Sequence, residues 1–146
     1  MDRVIAIVAT LAIGGLVAFQ PPANALLARH VGDFGSAFVS LLLSTLIVGT
    51  LLLASGQVGR LEGLVEFRPV HLIGGIAGAA VVFGTIITVR HLGAAGVTAA
   101  LVCTQLGVSA LIDRFGAIGV PQIDLSPARL IGIGLLVAGT VLVTTR

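Results

Sequence analysis

The chain has 146 residues, of which 57% are hydrophobic and only 10% are charged, and its mean hydropathy is +1.17. Soluble domains carry about 25% charged residues, so the composition excludes an ordinary soluble domain and indicates a membrane protein. The net charge of +2 is the difference between eight arginines and six acidic residues. The arginines stand singly, without a basic cluster, which argues against nucleic acid as a partner.

Five apolar segments are each long enough to cross a bilayer, for which a helix needs about 20 residues. Gly32-Asp33 and Gly93 mark short turns, so segments one and two, and segments three and four, are predicted to be antiparallel neighbours. Ser126 and Pro127 form an N-cap and a first-turn proline ahead of the fifth segment. The sequence therefore predicts one all-α domain, residues 1–146, with transmembrane helices over residues 4–27, 36–54, 70–89, 94–112 and 127–144.

Two consecutive prolines interrupt the first segment. Pro21 and Pro22 have no backbone N–H, and one such proline in a helix interior costs about 3 kcal/mol. We therefore expect a helix break there, next to a buried or wet site. Gln20 and Asn24 flank the prolines and are candidate substrate-binding residues. The alternative is structural: Gln20 satisfies the carbonyls that the prolines release, and Asn24 caps the emerging chain.

A second set of polar residues lies on one face of the fourth segment. Thr98, Gln105, Ser109 and Asp113 spread over roughly 80° of a helix with about 100° per residue. Polar side chains at membrane depth usually face the interior of a bundle, so Thr98, Gln105 and Ser109 are candidate substrate-binding residues. The alternative for Gln105 is a hydrogen bond between helices that only supports packing.

Carboxylates are absent from the middle of every predicted span, which disfavours a buried proton relay or a counter-charge for cationic substrates. A neutral or zwitterionic solute fits an amide-lined cavity better. Asp113 and Arg114 are predicted to form an ion pair at the membrane interface. Cys103 stands alone and the three histidines lie apart, so no metal site is predicted, and no cofactor fingerprint or catalytic pair indicates an enzyme.

An odd number of spans places the chain termini on opposite sides of the membrane. With the N-terminus inside, five arginines lie in the cytoplasm and three, including Arg146, lie outside. This bias is weak, and it fits both a single orientation and a chain that inserts both ways. Five helices are few for a substrate pathway, and transporters commonly join two inverted repeats near the bilayer midplane.

The sequence resembles the short, half-size, YdcZ-like branch of the drug/metabolite transporter superfamily across nearly its whole length. The residues that carry the resemblance are Gln20, Asn24, Gly49, the blocks Leu92-Gly93-Ala94-Ala95, Thr104-Gln105-Leu106 and Leu111-Ile112-Asp113-Arg114-Phe115-Gly116, and Gly132 with Gly139. Thr104 departs from the pattern, in which glycine or serine often precedes the glutamine. The resemblance implies a multi-pass protein of the inner membrane, a five-helix bundle equal to half of a ten-helix transporter, and an inverted homodimer or a pair with an inverted paralogue.

The leading hypothesis is a secondary transporter of a small metabolite or drug-like compound that works by alternating access. A small dual-topology channel and an accessory subunit of an inverted paralogue are the alternatives. All three have the lipid bilayer as their surroundings and need no cofactor.

Overall fold

The structure is a computed structural model that describes residues 2–66 and 68–145; Arg146, counted above among the outer arginines, lies outside this range. All regular secondary structure in the described residues is helical. Three long helices, α1 (Arg3–Ala54), α2 (Ile73–Phe115) and α3 (Pro127–Thr144), are joined by 3-10 helices at Val58–Glu66, Pro69–Leu72 and Ala117–Gly119. Each long helix is apolar enough to cross a membrane, which confirms an all-α membrane protein.

Most large apolar side chains of the described residues are exposed on the surface rather than packed in a core. Only 6% of the most apolar stretch of α1, and none of that of α3, is buried. A soluble protein would hide such surface, because each buried leucine or valine contributes about 1.5–3 kcal/mol in water. Exposed apolar helices of this length therefore indicate lipid contact.

Helix α1 folds back on itself at Gly32. The backbone of Gly32 has φ 76° and ψ 168°, the only non-helical pair inside α1. Asn24 Nδ2 donates a 3.2 Å hydrogen bond to Ser40 Oγ, although sixteen residues of straight helix would separate them by about 24 Å. These contacts confirm that the first two predicted segments are antiparallel neighbours.

The predicted helix break at Pro21 and Pro22 is wrong. Helix α1 continues through both prolines, and its interruption comes ten residues later. A proline ring fixes φ near −65°, which is itself a helical value, so the missing hydrogen bonds do not force the chain out of the helix. Gly32 instead adopts a backbone conformation that is essentially restricted to glycine.

Helix α2 is interrupted in the same way at Gly93, where φ is 69° and ψ is 170°. Both interruptions lie where the sequence predicts turns. The count of five helices stays a prediction, because α1 and α2 are each assigned as one helix across their glycine.

The chain divides into two compact units, one ending at Arg90 and the other beginning at His91. The first unit has a small core in which Ala28, Ala37, Val82 and Ile86 are buried, Ile86 completely. In the same unit, an ion pair joins Arg90, shortly before the interruption in α2, to Asp33, directly after the interruption in α1. The rings of Phe34 and Phe83 stack with centroids 4.7 Å apart.

In the second unit, the part of α2 after Gly93 packs against α3. Thr140 Oγ1 donates to the carbonyl oxygen of Ala99 over 3.3 Å. The predicted start of α3 is confirmed, since Ser126 Oγ accepts a hydrogen bond from the backbone N–H of Arg129 and Pro127 occupies the first turn. Gly116 follows α2 with φ 58°, a left-handed conformation that ends helices and suits glycine.

Substituting alanine for Gly32 is expected to destabilise the protein by about 1–3 kcal/mol, the usual cost of a non-glycine residue in this backbone region. The added Cβ would meet no atom within 4 Å, so the effect isolates backbone strain from steric clash. Thermal unfolding in detergent, followed by circular dichroism, measures it. Gly14→Ala is the control, because Gly14 is helical with equally open space around it. Equal stability of the two variants would show that Gly32 does not hold the turn.

Candidate functional site

The first polar cluster connects the two arms of α1. Asn24 is 8% exposed and its amide donates to Ser40, while Ser36 Oγ donates a 2.7 Å hydrogen bond to the backbone carbonyl of Asn24. Ser36 is completely buried. The amide of Asn24 is therefore held within the protein, and the residue lies inside the helix rather than capping it.

Gln20 lies one turn before Asn24 on the same unbroken helix. Its side chain is half-buried and forms no hydrogen bond with any residue that the structure describes. It does not satisfy the carbonyls of Val17 and Ala18, which lose their helical donors to the prolines. Gln20 thus keeps a free amide, and its role in binding stays a prediction.

The fourth predicted segment presents polar groups that the chain does not satisfy. Gln105 and Ser109 are exposed and Thr98 is half-buried. None of the three side chains hydrogen-bonds to another described residue. The neighbouring Thr104 behaves differently, because its hydroxyl donates over 3.0 Å to the carbonyl of Ala100 in its own helix. The stripe in the second unit therefore has unused hydrogen-bonding capacity at membrane depth.

The predicted ion pair between Asp113 and Arg114 is wrong. Asp113 pairs with Arg129 at 3.2 Å, and Arg114 pairs with Asp124 at 2.7 Å. Consecutive helix residues point about 100° apart, so adjacent charges on a helix do not face each other. Each charge instead contacts a residue beyond the end of α2.

The segment after α2 also closes the end of that helix. The backbone N–H of Ile123 donates to the carbonyl of Asp113 over 2.8 Å, and Gln122 Nε2 donates to the carbonyl of Arg114 over 2.9 Å. The last carbonyls of a helix have no partner within it, so these bonds satisfy groups that would otherwise need water. With the two ion pairs, they form a polar network at one end of the second unit.

A cleft of about 330 Å³ opens beside this network. Its polar end consists of Asp113 and Arg129, with Ser109 next to them, and its walls are the apolar residues Leu106, Ala110, Gly132 and Ile133. Of the predicted site residues, the structure therefore groups Ser109 with Asp113. Gln20 and Asn24 belong to the first unit, and Thr98, Gln105 and Ser109 to the second.

The sequence interpretation missed Ser36 and Arg129, and it did not pair Ser40 with Asn24. The contacts of the two serines could have been predicted from the turn at Gly32. A turn there brings each residue before it close to one at a similar distance after it, so Asn24 comes near residues 36–40. Arg129 carried no such signal, because its contact with Asp113 depends on the path of residues 116–126.

Residues 5–142 match the protein family described as "Putative inner membrane exporter, YdcZ". No curated protein matches the chain, and no solved structure matches it. The family match covers nearly the whole sequence and confirms the resemblance inferred from its residue blocks. Together with three apolar helices of membrane-spanning length, it places the chain in the inner membrane as a multi-pass protein. The description of the family as one of inner-membrane exporters supports membrane transport as the general class of its activity. The chain is a member of the YdcZ family.

Proposed function

We propose that the protein is a secondary carrier that exports a small neutral or zwitterionic solute by alternating access between two inverted copies of the chain. The observation that carries the proposal is the exposed amide of Gln105, which has no hydrogen-bond partner among the described residues. It lies within the predicted span 94–112, close to its middle.

An amide at this depth needs a polar environment. Hydrocarbon offers no hydrogen-bond partner, and transferring an amide into it without one costs about 4–8 kcal/mol. Polar residues in membrane helices therefore face other protein or a water-filled cavity. Since the described residues leave Gln105 exposed, a second chain that encloses a wet cavity with it would supply that environment.

Glycines on α2 support packing against a second chain. Gly74, Gly75 and Gly78 are exposed, and a Cβ at any of them would meet no atom within 4 Å. Small residues four apart allow membrane helices to approach closely. In this chain, that face is free for such an approach.

The charges favour a neutral or zwitterionic solute. Asp33 and Asp113 are each engaged with an arginine, and the sequence places no carboxylate in the middle of a span. A mid-membrane carboxylate is the usual counter-charge for a cationic substrate. The amides of Gln20 and Gln105 can donate and accept hydrogen bonds without charge, which suits an uncharged or internally balanced substrate.

The interruptions at Gly32 and Gly93 support five membrane-crossing segments, since each divides a helix of 52 or 43 residues into arms of spanning length. With an odd number of membrane-crossing segments, the two ends of one chain lie on opposite sides of the membrane. Two inverted copies restore the pseudo-two-fold arrangement that places transporter sites near the midplane.

Counterflow in proteoliposomes tests this function. The purified chain is reconstituted alone, the vesicles are loaded with unlabelled amino acids, sugars or polyols, and uptake of the same labelled solute is followed. A carrier is expected to accelerate labelled uptake when the unlabelled solute is inside. Rapid uptake without this stimulation would indicate a channel, and absence of uptake until an inverted paralogue is added would indicate an accessory subunit. Either result overturns the proposal.

A further inference from the structure

We propose that the cleft in the second unit binds one membrane phospholipid with an ethanolamine-type headgroup. Its acyl chain would lie along Leu106, Gly132 and Ile133, and its headgroup would contact Arg129 and Asp113. The inference concerns the interfacial end of the second unit, which shares Ser109 with the predicted solute-binding stripe, and it does not depend on transport.

The charged and apolar residues are distributed along the cleft as the headgroup and acyl chains are in a phospholipid. Asp113 lies two residues before the end of α2, and Arg129 lies in the first turn of α3, so both stand at the same membrane interface. Leu106 lies two turns further into α2, about 10 Å along the helix, and Ile133 lies one turn further into α3. The cleft is therefore charged at the interface and apolar towards the bilayer centre.

The charged end has capacity for a ligand. One guanidinium nitrogen of Arg129 contacts the Asp113 carboxylate, and the two side chains remain 45% and 29% exposed. A guanidinium has five N–H donors, so several of Arg129 are left for a phosphate, and the carboxylate has further lone pairs for an ammonium group. Ser109 lies one turn deeper with a free hydroxyl, at the depth where a lipid carries its ester carbonyls.

Charge balance selects the headgroup class. Asp113 and Arg129 cancel, and the adjacent Arg114 and Asp124 cancel as well. An anionic headgroup would meet the Asp113 carboxylate as a like charge. A zwitterionic headgroup places its phosphate at Arg129 and its cation at Asp113. An ammonium donates hydrogen bonds to a carboxylate and a trimethylammonium does not, so ethanolamine is favoured over choline.

Native mass spectrometry of the delipidated full-length protein in detergent tests this site. Phosphatidylethanolamine, phosphatidylcholine and phosphatidylglycerol with identical acyl chains are titrated separately, and the apparent affinity for the first bound lipid is measured. We expect one phosphatidylethanolamine per chain to bind about tenfold more tightly than either of the others, the effect of one charge-assisted hydrogen bond. Equal affinities for all three would contradict the proposal.

Two matched pairs of variants assign the binding to the cleft. Arg129→Gln is expected to weaken phosphatidylethanolamine binding about tenfold, whereas Arg90→Gln, which removes the same charge from the ion pair with Asp33, should leave it unchanged. Gly132→Leu fills the cleft and should abolish selective binding. Gly134→Leu adds the same side chain two residues along α3, outside the cleft, and should not.

If Arg129→Gln misfolds, Gly132→Leu still tests the site, because it fills the cleft and leaves every charge in place. Retention of wild-type selectivity in folded Gly132→Leu, or equal loss in Gly132→Leu and Gly134→Leu, would overturn the assignment.

Discussion

Replacing Gln105 with leucine is expected to reduce solute counterflow by a factor of about 5 to 150 while the protein still folds and dimerises. Leucine has a similar size and is favoured in lipid, so the helix itself loses nothing. The lost amide removes a hydrogen bond to the solute in a site shielded from bulk water, and such bonds contribute about 1–3 kcal/mol. Initial uptake rates in proteoliposomes measure the effect, with circular dichroism and crosslinking as checks on fold and dimer.

Thr104→Val is the matched control for this substitution. Thr104 is adjacent and also exposed, but its hydroxyl is already bonded to the carbonyl of Ala100. Removing that hydroxyl should leave counterflow near the wild-type rate. Undiminished counterflow in Gln105→Leu, or an equal loss in Thr104→Val, would remove Gln105 from the proposed pathway.

Replacing Ser36 with leucine is expected to destabilise the first unit by about 2–4 kcal/mol. Ser36 is completely buried where the arms of α1 meet, and its hydroxyl bonds to the carbonyl of Asn24. A leucine there overpacks the contact at a cost of about 1–3 kcal/mol and also loses the hydrogen bond, about 0.5–1.5 kcal/mol. Denaturation with SDS from mixed micelles measures the change.

Ser44→Leu provides the comparison for Ser36→Leu. Ser44 lies two turns further along the same arm, is exposed, and donates only to the carbonyl of Ser40 in its own helix. Leucine at position 44 should therefore change stability little, or raise it slightly in lipid. A similar loss of stability in both variants would show that the buried contact at Ser36 does not hold the arms together.

Hydrophobicity alone was enough to predict an all-helical membrane protein, because a bilayer imposes both length and composition on a spanning segment. The interruptions at Gly32 and Gly93 were also predictable, since a turn with positive φ requires glycine. The prediction of a break at Pro21 and Pro22 is wrong because the loss of two hydrogen bonds does not by itself interrupt a helix, and the proline φ is compatible with the helix that contains both residues.

Contacts between distant residues could not be predicted in the same way. The pairing of Asp113 with Arg129 depends on how residues 116–126 return to the membrane, and no periodicity encodes that path. The sequence singles out Asn24 as a candidate substrate-binding residue, a role that stays a prediction, and its burial against Ser40 follows from the geometry of the hairpin. For Gln20, Thr98 and Gln105, the structure shows free polar groups, and their binding role is the proposal made above.

Cysteine crosslinking between copies of the chain in native membranes tests the inverted arrangement most directly. Thr98, Gln105 and Ile112 lie seven residues apart on one helix face, and each is replaced singly by cysteine in a chain that carries Cys103→Ala. A disulfide requires Cα atoms within about 7 Å and would leave no room for a solute between the chains, so a short bifunctional maleimide that bridges the cavity is used instead. Inverted copies whose axis passes near Gln105 predict a symmetric crosslink at position 105 alone. They also predict a mixed crosslink between positions 98 and 112 when both variants are coexpressed. Symmetric crosslinks at all three positions would show parallel copies, and the absence of a crosslink at position 105 would contradict the account.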